Sequence, residues 1–148
     1  MKKITPVIVR QALPRRQPQT QKWDYGHCLV IAGSRKLLGA AVIATKSALR
    51  GGAGLVTLAT PKSFQHLVYS QIIEALTLPL EETTEGTVDF AALDTVRAYI
   101  KDRGVTAIAI GPGLTRQEQT AQFIRTLVRD TPISMILDAD AINVAPSL

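Results

Sequence analysis

The chain has 148 residues, 46% of them hydrophobic and 20% charged, which is typical of one soluble globular domain. No apolar run approaches the ~20 residues of a membrane helix, and the N-terminus has no signal-peptide pattern, so we expect a cytoplasmic protein without a membrane partner. The single Cys28 excludes an intrachain disulfide and offers no metal-ligand spacing. We interpret it as a buried structural thiol rather than a nucleophile, and we predict no metal site built by the protein's own side chains.

The net charge of +5 is concentrated at the N-terminus. Removing the six basic residues that precede Asp24 from the total of 17 leaves 11 basic residues against 12 acidic ones. No aromatic ladder or recognition helix accompanies the basic segment, so we expect no nucleic-acid partner. Residues 1–27 are interpreted as a proline-containing basic arm along the domain edge, and residues 28–148 as the domain.

Apolar runs and glycine stops then predict elements in chain order. One helical turn is expected near Val7 to Ala12. Apolar strands are predicted at 28–32, 55–59, 75–78, 105–110 and 133–137. Helices are predicted at 39–50, around 64–68, from 90 to a stop at Gly104, and behind a Thr115–Glu118 capping box. This alternation predicts an α/β fold with a doubly wound, mostly parallel sheet of about five strands, of Rossmann type.

Two glycine turns follow predicted strands and are candidate ligand loops. Gly33, Ser34 and Gly39 lie between a strand and a helix, where backbone N–H groups and the helix dipole favour an anion. Their pattern is neither a Walker sequence nor G-x-G-x-x-G, so a tight βα turn is the favoured interpretation from these residues alone. For the turn from Gly111 to Gly113, the residues favour a ligand site and a purely structural turn equally.

An acidic cluster follows the last predicted strand. A carboxylate at the end of a buried strand is costly unless it is hydrogen-bonded or functional, and Asp138 is therefore the stronger functional candidate. Asp140 is expected to cap a helix that starts near Ala141. Asn143 either orients a ligand or caps a turn. Because ligands bind outside the carboxyl ends of parallel strands, we expect these residues and the glycine turns at one sheet edge.

Four ordered blocks carry a family resemblance. The first runs from Lys22 to Thr57 and contains Gly33-Ser34, Gly39-Ala40-Ala41 and the Gly51-Gly52-Ala53-Gly54 run. The others are Glu74–Leu80, Ile110–Leu114 and Leu137–Asn143. Together they resemble the ADP/ATP-dependent NAD(P)H-hydrate dehydratases, which are carbohydrate-kinase-like domains of YjeF C-terminal type in the ribokinase-like superfamily.

The resemblance implies a repair enzyme that dehydrates the S-epimer of hydrated NADH or NADPH, using ADP or ATP with Mg²⁺. It implies that Ala40 and Gly113 contact the hydrated nicotinamide nucleotide, and that Asp138 and Asn143 line the same cleft. Two departures are modest: the family's His-Lys-Gly appears as Gln21-Lys22-Trp23, and the fourth glycine of its Gly-Pro-Gly-Leu-Gly motif is Thr115.

The family continues beyond the position of Leu148 with a Pro-His-Pro-Gly-Glu block, a nucleotide-phosphate segment and a Gly-x-Gly-Asp turn. The sequence therefore resembles the first half of a family member, and we expect a homo-oligomer or a need for the C-terminal half. We expect little turnover by the 148 residues alone. The alternatives are a small-molecule kinase of the same superfamily, acting on a sugar or vitamin alcohol, and an inactive binding or assembly fragment.

Overall fold

The computed structural model describes residues 3–13 and 16–145. Residues 1–2, 14–15 and 146–148 lie outside the described residues. Their assignment to the arm or to the domain stays a prediction. The five strands form one sheet in the order β3-β2-β1-β4-β5, and every pair is parallel. The strands are β1 (His27–Ile31), β2 (Leu55–Pro61), β3 (Leu76–Leu80), β4 (Ala107–Ile110) and β5 (Ser134–Leu137).

Helices connect successive strands, so the predicted doubly wound α/β fold is confirmed. The α-helices are α1 (Pro6–Ala12), α2 (Leu38–Arg50), α3 (Gln65–Tyr69), α4 (Ala92–Arg103), α5 (Glu118–Asp130) and α6 (Asp140–Val144). Short 3₁₀ helices lie at Lys22–Tyr25 and Lys62–Phe64. Across residues 3–13 and 16–145, no helix is long and apolar enough to span a membrane.

Helices pack on both faces of the sheet, because alternate residues of a strand point to opposite sides. On one face, Leu29 and Ile108 of the strands belong to a core with Val96 of α4 and Phe123 of α5. On the other face, strand residues pack with residues of α2 and α3; they include Val30, Leu58, Ala41 and Val68. The interior strands are therefore apolar on both sides, which explains their continuous hydrophobic runs.

The residues just before β1 contact the loop that leads into β2. The Nη2 of Arg16 donates to the carbonyl O of Gly52 at 3.1 Å, and its guanidinium lies 4.5 Å from the centre of the Tyr25 ring. The N–H of Gly54 donates to the carbonyl O of Tyr25 at 3.1 Å. Helix α1, in contrast, has no buried residue. The boundary between arm and domain after residue 27 stays a prediction.

Candidate functional site

The carboxyl ends of β1, β4 and β5 meet at one edge of the sheet. The N–H of Gly33 donates to the carbonyl O of Pro112 at 2.9 Å. The N–H of Asp138 donates to the carbonyl O of Ile110 at 3.0 Å. Connections from the neighbouring strands β1 and β4 run in opposite directions through the sheet order. That reversal makes the crevice between them the place where ligands bind in open α/β sheets.

Gly33 and Gly113 hold the start of α2 close to the sheet. A Cβ at Gly33, whose φ is +90°, would lie 3.0 Å from the Cβ of Ala41. A Cβ at Gly113, with φ +71°, would lie 2.9 Å from the Cβ of Leu37 and 3.0 Å from that of Ala40. Gly113 is buried beneath α2, so its described contacts are packing contacts. Its contact with a ligand stays a prediction.

Gly111 joins the end of β4 to the end of β5. Its φ is +130°, and an added Cβ would overlap the carbonyl O of Asp138 and lie 2.8 Å from the Cβ of Ala141. Only glycine meets both the backbone angle and the close approach. The residue therefore fixes the position of the acidic segment against the turn after β4.

The first turn of α2 is the part of the predicted loop that faces open space. Gly39 is exposed, and an added Cβ would meet no atom within 4 Å. Ala40 is half-buried, and its N–H donates to the carbonyl O of Leu37 at 3.2 Å. A ligand over the sheet edge would thus reach Gly39 and Ala40 before it reached Gly113.

The sequence argument for Asp138 assumed a carboxylate at the end of a buried strand. The structure corrects this, because Asp138 is exposed. The strand before it is an edge strand with alternating exposure, so the carboxylate is solvated and needs no compensating partner. Asp140 is the first residue of α6 rather than its N-cap, which is Ala139. The Oδ2 of Asp140 accepts from the N–H of Thr115 at 2.9 Å. Asn143 is exposed on α6.

The predicted Thr115–Glu118 capping box is wrong. The N-cap of α5 is Gln117, whose Oε1 accepts from the N–H groups of Gln119 at 2.7 Å and Thr120 at 3.3 Å. Thr115 has a φ of +71°, so it belongs to the turn that Asp140 holds and not to the helix start. The sequence spacing alone could not reveal this positive φ.

A cavity of about 680 Å³ opens beside these turns, and we call it the Ser34 cavity. It is lined by Ser34, Arg35, Lys36, Thr84, Glu85, Thr87, Thr115 and Gln117. Among these, only Ser34 was predicted as a site residue. The polar run 81–89 was the available signal for the residues from Thr84 to Thr87, but it was interpreted only as an exposed loop.

Two buried hydroxyl groups near the cavity have no hydrogen-bond partner among the described residues. They are Ser34 Oγ and Thr60 Oγ1, in residues that are 1% and 0% exposed. An unsatisfied buried polar group costs roughly 1–3 kcal/mol, so such groups are rare and often mark a site where a ligand or water completes the bonds. Of the two residues, only Ser34 lines the cavity.

His27 and Cys28 lie away from this edge. His27, at the opposite end of β1, is only 4% exposed. Its Nε2 lies 2.8 Å from Thr57 Oγ1 and its Nδ1 lies 3.1 Å from the carbonyl O of Arg103. His66 is exposed. Cys28 is half-buried, and burial raises the pKa of its thiol, which fits a structural role.

The acidic residues do not form a preformed metal site. In the part of the chain that the structure describes, no group of three or more His, Cys, Asp or Glu side chains could hold a metal ion. The described residues therefore offer no carboxylate cluster that fits the Mg²⁺ implied by the resemblance.

The architecture defines the class of protein. The fold superposes on a ribokinase-like superfamily protein from Enterococcus faecalis with a TM-score of 0.76 at 21% identity, covering 95% of this chain and 46% of that one. It also superposes on the ADP/ATP-dependent NAD(P)H-hydrate dehydratase of Bacillus subtilis, which was co-crystallised with ATP and Mg²⁺. That match has a TM-score of 0.72 at 29% identity and covers 93% of this chain and 45% of that one. The chain has a ribokinase-like α/β fold.

Residues 28–147 match the family described as NAD(P)H-hydrate dehydratase, and the chain belongs to this family. It is 36% identical over 140 residues to the bifunctional NAD(P)H-hydrate repair enzyme Nnr of Moorella thermoacetica, covering 95% of this chain and 26% of that protein. It is 30% identical to the ADP-dependent (S)-NAD(P)H-hydrate dehydratase of Listeria monocytogenes, covering 97% of this chain and 49% of that protein. The chain thus spans about a quarter to a half of these relatives.

Proposed function

We propose that this chain forms the substrate side of an enzyme that dehydrates the S-epimer of NAD(P)H hydrate with ADP or ATP. The observation that carries the proposal is the family match over residues 28–147, which includes all the strand ends at the candidate site. The chain covers half or less of the relatives' length, so the activity of the whole enzyme is part of the proposal. We extend the proposal to a cytoplasmic location, which fits the lone free thiol.

The proposed substrate cleft lies over the ends of β1, β4 and β5. Ala40 and Gly113 form its floor at the start of α2, and Asp138 and Asn143 form its polar wall. In this arrangement the exposed Asp138 carboxylate is free to accept hydrogen bonds from hydroxyl or amide groups of the substrate. Gly113 sets the height of the floor, because it lets α2 approach the turn after β4.

Dehydration breaks a C–O bond and removes a proton from the neighbouring carbon. A hydroxyl is a poor leaving group, and a bound nucleotide would supply a phosphoryl group that makes it a better one. The chain's own contribution is to position the substrate and to stabilise negative charge with fixed donors. The cleft fits this role, since the turns beneath its floor pack closely around Gly111 and Gly113.

The test is calorimetric titration of the chain with hydrated NADPH. We expect Asp138→Asn to weaken binding about tenfold, because it removes a charged acceptor. Asp102→Asn on the exposed outer side of α4 is the matched control and should leave the affinity unchanged. Equal affinities of the two variants, or no binding by the parent chain, would contradict the proposal. Gly113→Val is a poor probe, because a side chain there also displaces α2.

No observation favours the small-molecule kinase alternative. The likeness to the ribokinase-like protein at 21% identity shows the fold alone. Titration with hydrated NADPH also tests this alternative, since a kinase for a sugar or vitamin alcohol has no reason to bind a hydrated dinucleotide.

A further inference from the structure

We propose that the Ser34 cavity is a diphosphate-binding subsite that takes the diphosphate group of a dinucleotide or of ADP. The inference rests on the proposed function only in naming which molecule carries the diphosphate. Its structural basis is independent of the family: three loops, a buried hydroxyl without a partner and an excess of positive charge meet in one cavity.

The cavity lies at the switch point of the sheet. Its walls are the loops after β1, β3 and β4, which all start at the carboxyl edge. The first two loops are joined directly, because the N–H of Arg35 donates to the carbonyl O of Gly86 at 2.9 Å. Gly86 has a φ of +73°, and a Cβ there would lie 2.9 Å from Arg35 Nε. This close packing holds the base of the Arg35 guanidinium at the cavity.

Neutral donors line the inner part of the cavity. Ser34 lines the cavity, and its Oγ is buried without a hydrogen-bond partner in the described chain, so a phosphate oxygen that reached it would complete its hydrogen bonding. The Oε1 of Gln117 is committed to the N–H groups at the start of α5, and this leaves its Nε2 as the group available to a ligand. The positive end of the α5 dipole lies at the same place and adds to the attraction for an anion.

The charged residues of the lining favour an anion. Arg35 and Lys36 carry positive charges, and Glu85 is the single acidic residue among those that line the cavity. Within residues 3–13 and 16–145, neither cation lies within ion-pair distance of a carboxylate. Guanidinium and ammonium groups that have no internal partner are suited to phosphate oxygens.

The size of the cavity agrees with such a ligand. Its volume of about 680 Å³ lies in the roughly 300–1,000 Å³ range of small-molecule sites. The cavity also adjoins the proposed substrate cleft, since Ser34 follows Gly33 and Thr115 follows the turn that contains Gly113. A dinucleotide could therefore place its diphosphate here while its nicotinamide end lies over α2.

The experiment is calorimetric titration of the chain with three probes: inorganic pyrophosphate, ADP and hydrated NADPH. We expect the Arg35→Gln, Lys36→Gln double variant to bind pyrophosphate about tenfold or more weakly, with a smaller dependence on salt. Lys46→Gln, on the exposed side of α2, is the control and should leave the affinity unchanged.

Two further variants make the test specific to the cavity. Glu85→Gln should strengthen pyrophosphate binding severalfold, because it removes a negative charge from the lining. Ser34→Ala should weaken binding severalfold without lowering the melting temperature, since its hydroxyl makes no internal bond that the fold would lose. Ser47→Ala on the exposed surface of α2 is the matched control.

Each outcome decides a separate point. Loss of affinity for hydrated NADPH in the double variant assigns the subsite to the dinucleotide, and loss for ADP assigns it to the adenine nucleotide; both support the inference. Pyrophosphate binding that depends on Arg35 and Lys36, without any binding of hydrated NADPH, keeps the inference and contradicts the proposed function. Unchanged affinity of the double variant for all three probes, or no pyrophosphate binding by the parent chain, overturns it.

Discussion

Single residues at the carboxyl edge of the sheet are constrained by backbone contacts more than by ligand chemistry. Gly33, Gly111 and Gly113 all have positive φ, and each has a neighbouring atom where a Cβ would be. Gly39 differs, because it lies in open space on α2 and has no positive φ. Gly33 and Gly39 were predicted in one candidate ligand loop and Gly111 and Gly113 in another, but the four glycines divide into three packing positions and one exposed position.

Gly111→Ala is expected to lower the free energy of unfolding by more than about 3 kcal/mol. The added Cβ would overlap the carbonyl O of Asp138 and occupy a backbone region that disfavours side chains. Urea unfolding followed by circular dichroism measures this change. Gly39→Ala is the control and should raise stability by about 0.5–1 kcal/mol, as in other helices. A loss of less than 1 kcal/mol for Gly111→Ala would show that the turn relaxes easily.

Cys28 gives a prediction for alkaline pH. Burial raises the pKa of its thiol, so the unfolded chain releases this proton at a lower pH than the folded chain. The stability from Cys28 is therefore complete below the ordinary thiol pKa and is lost as pH rises through the higher folded value.

The measurement is urea unfolding of the parent and Cys28→Ala chains from about pH 7 to about pH 10. The parent should lose stability faster than the variant over the alkaline part of this range, because only the parent carries the thiol. Parallel pH profiles of the two chains would show that the thiol titrates alike in the folded and unfolded states.

Among the elements, the strands follow from sequence but the ends of the helices follow less well. The apolar runs located all five strands, and Gly104 ends α4 as predicted; the structure adds that its conformation is left-handed. The start of α5 was misplaced because the N–H of Thr115 donates its hydrogen bond to the carboxylate of Asp140, 25 residues later. Local patterns report local hydrogen bonds, so a cap that depends on another loop escapes them.

Thr115→Gly is expected to stabilise the chain by about 1 kcal/mol. A φ of +71° costs an ordinary residue roughly 1–2 kcal/mol, and glycine avoids most of that cost. Thr131→Gly at the end of α5 is the control, because its φ is −108° and glycine should there be destabilising. Thermal and urea unfolding compare the two. A loss of stability for Thr115→Gly would show that its side chain contributes more than the strain.

The same limit of local patterns explains why the sequence revealed neither the burial of His27 nor the Ser34 cavity. The buried position of His27 depends on Thr57 and Arg103, which lie 30 and 76 residues away in sequence. The Ser34 cavity depends on the loop after β3 reaching back to the loop after β1 through Gly86 and Arg35. Strand order brings these segments together, and a sequence pattern that predicts parallel strands does not by itself give their order.

At the scale of the whole molecule, part of one sheet face is uncovered. Helices α2 and α3 cover β1 and β2 on this face, while Ile136 of β5 is 69% exposed. In the described chain β5 pairs only with β4, so its other edge has free backbone donors and acceptors. An apolar, unpaired edge strand favours association with another chain.

Ile136→Lys is therefore expected to shift the chain toward monomer in sedimentation velocity experiments. A lysine on an edge strand opposes pairing by charge and by the loss of apolar contact. Ile73→Lys is the matched control, since Ile73 is 74% exposed but lies before β3 and outside the strand. If both substitutions reduce association equally, general surface hydrophobicity is responsible and the β5 edge is not.

The strand order has a consequence for the way the chain is synthesised. The central strand β1 pairs with β2 soon after both leave the ribosome, but its other neighbour, β4, is made much later; His27 and Thr106, which bond across this pair, are 79 residues apart. Such distant pairing is slow, since a long loop must close first. During translation the edge of β1 that later pairs with β4 is therefore open for several seconds at about 5–20 residues per second, and this interval is when a chaperone would bind.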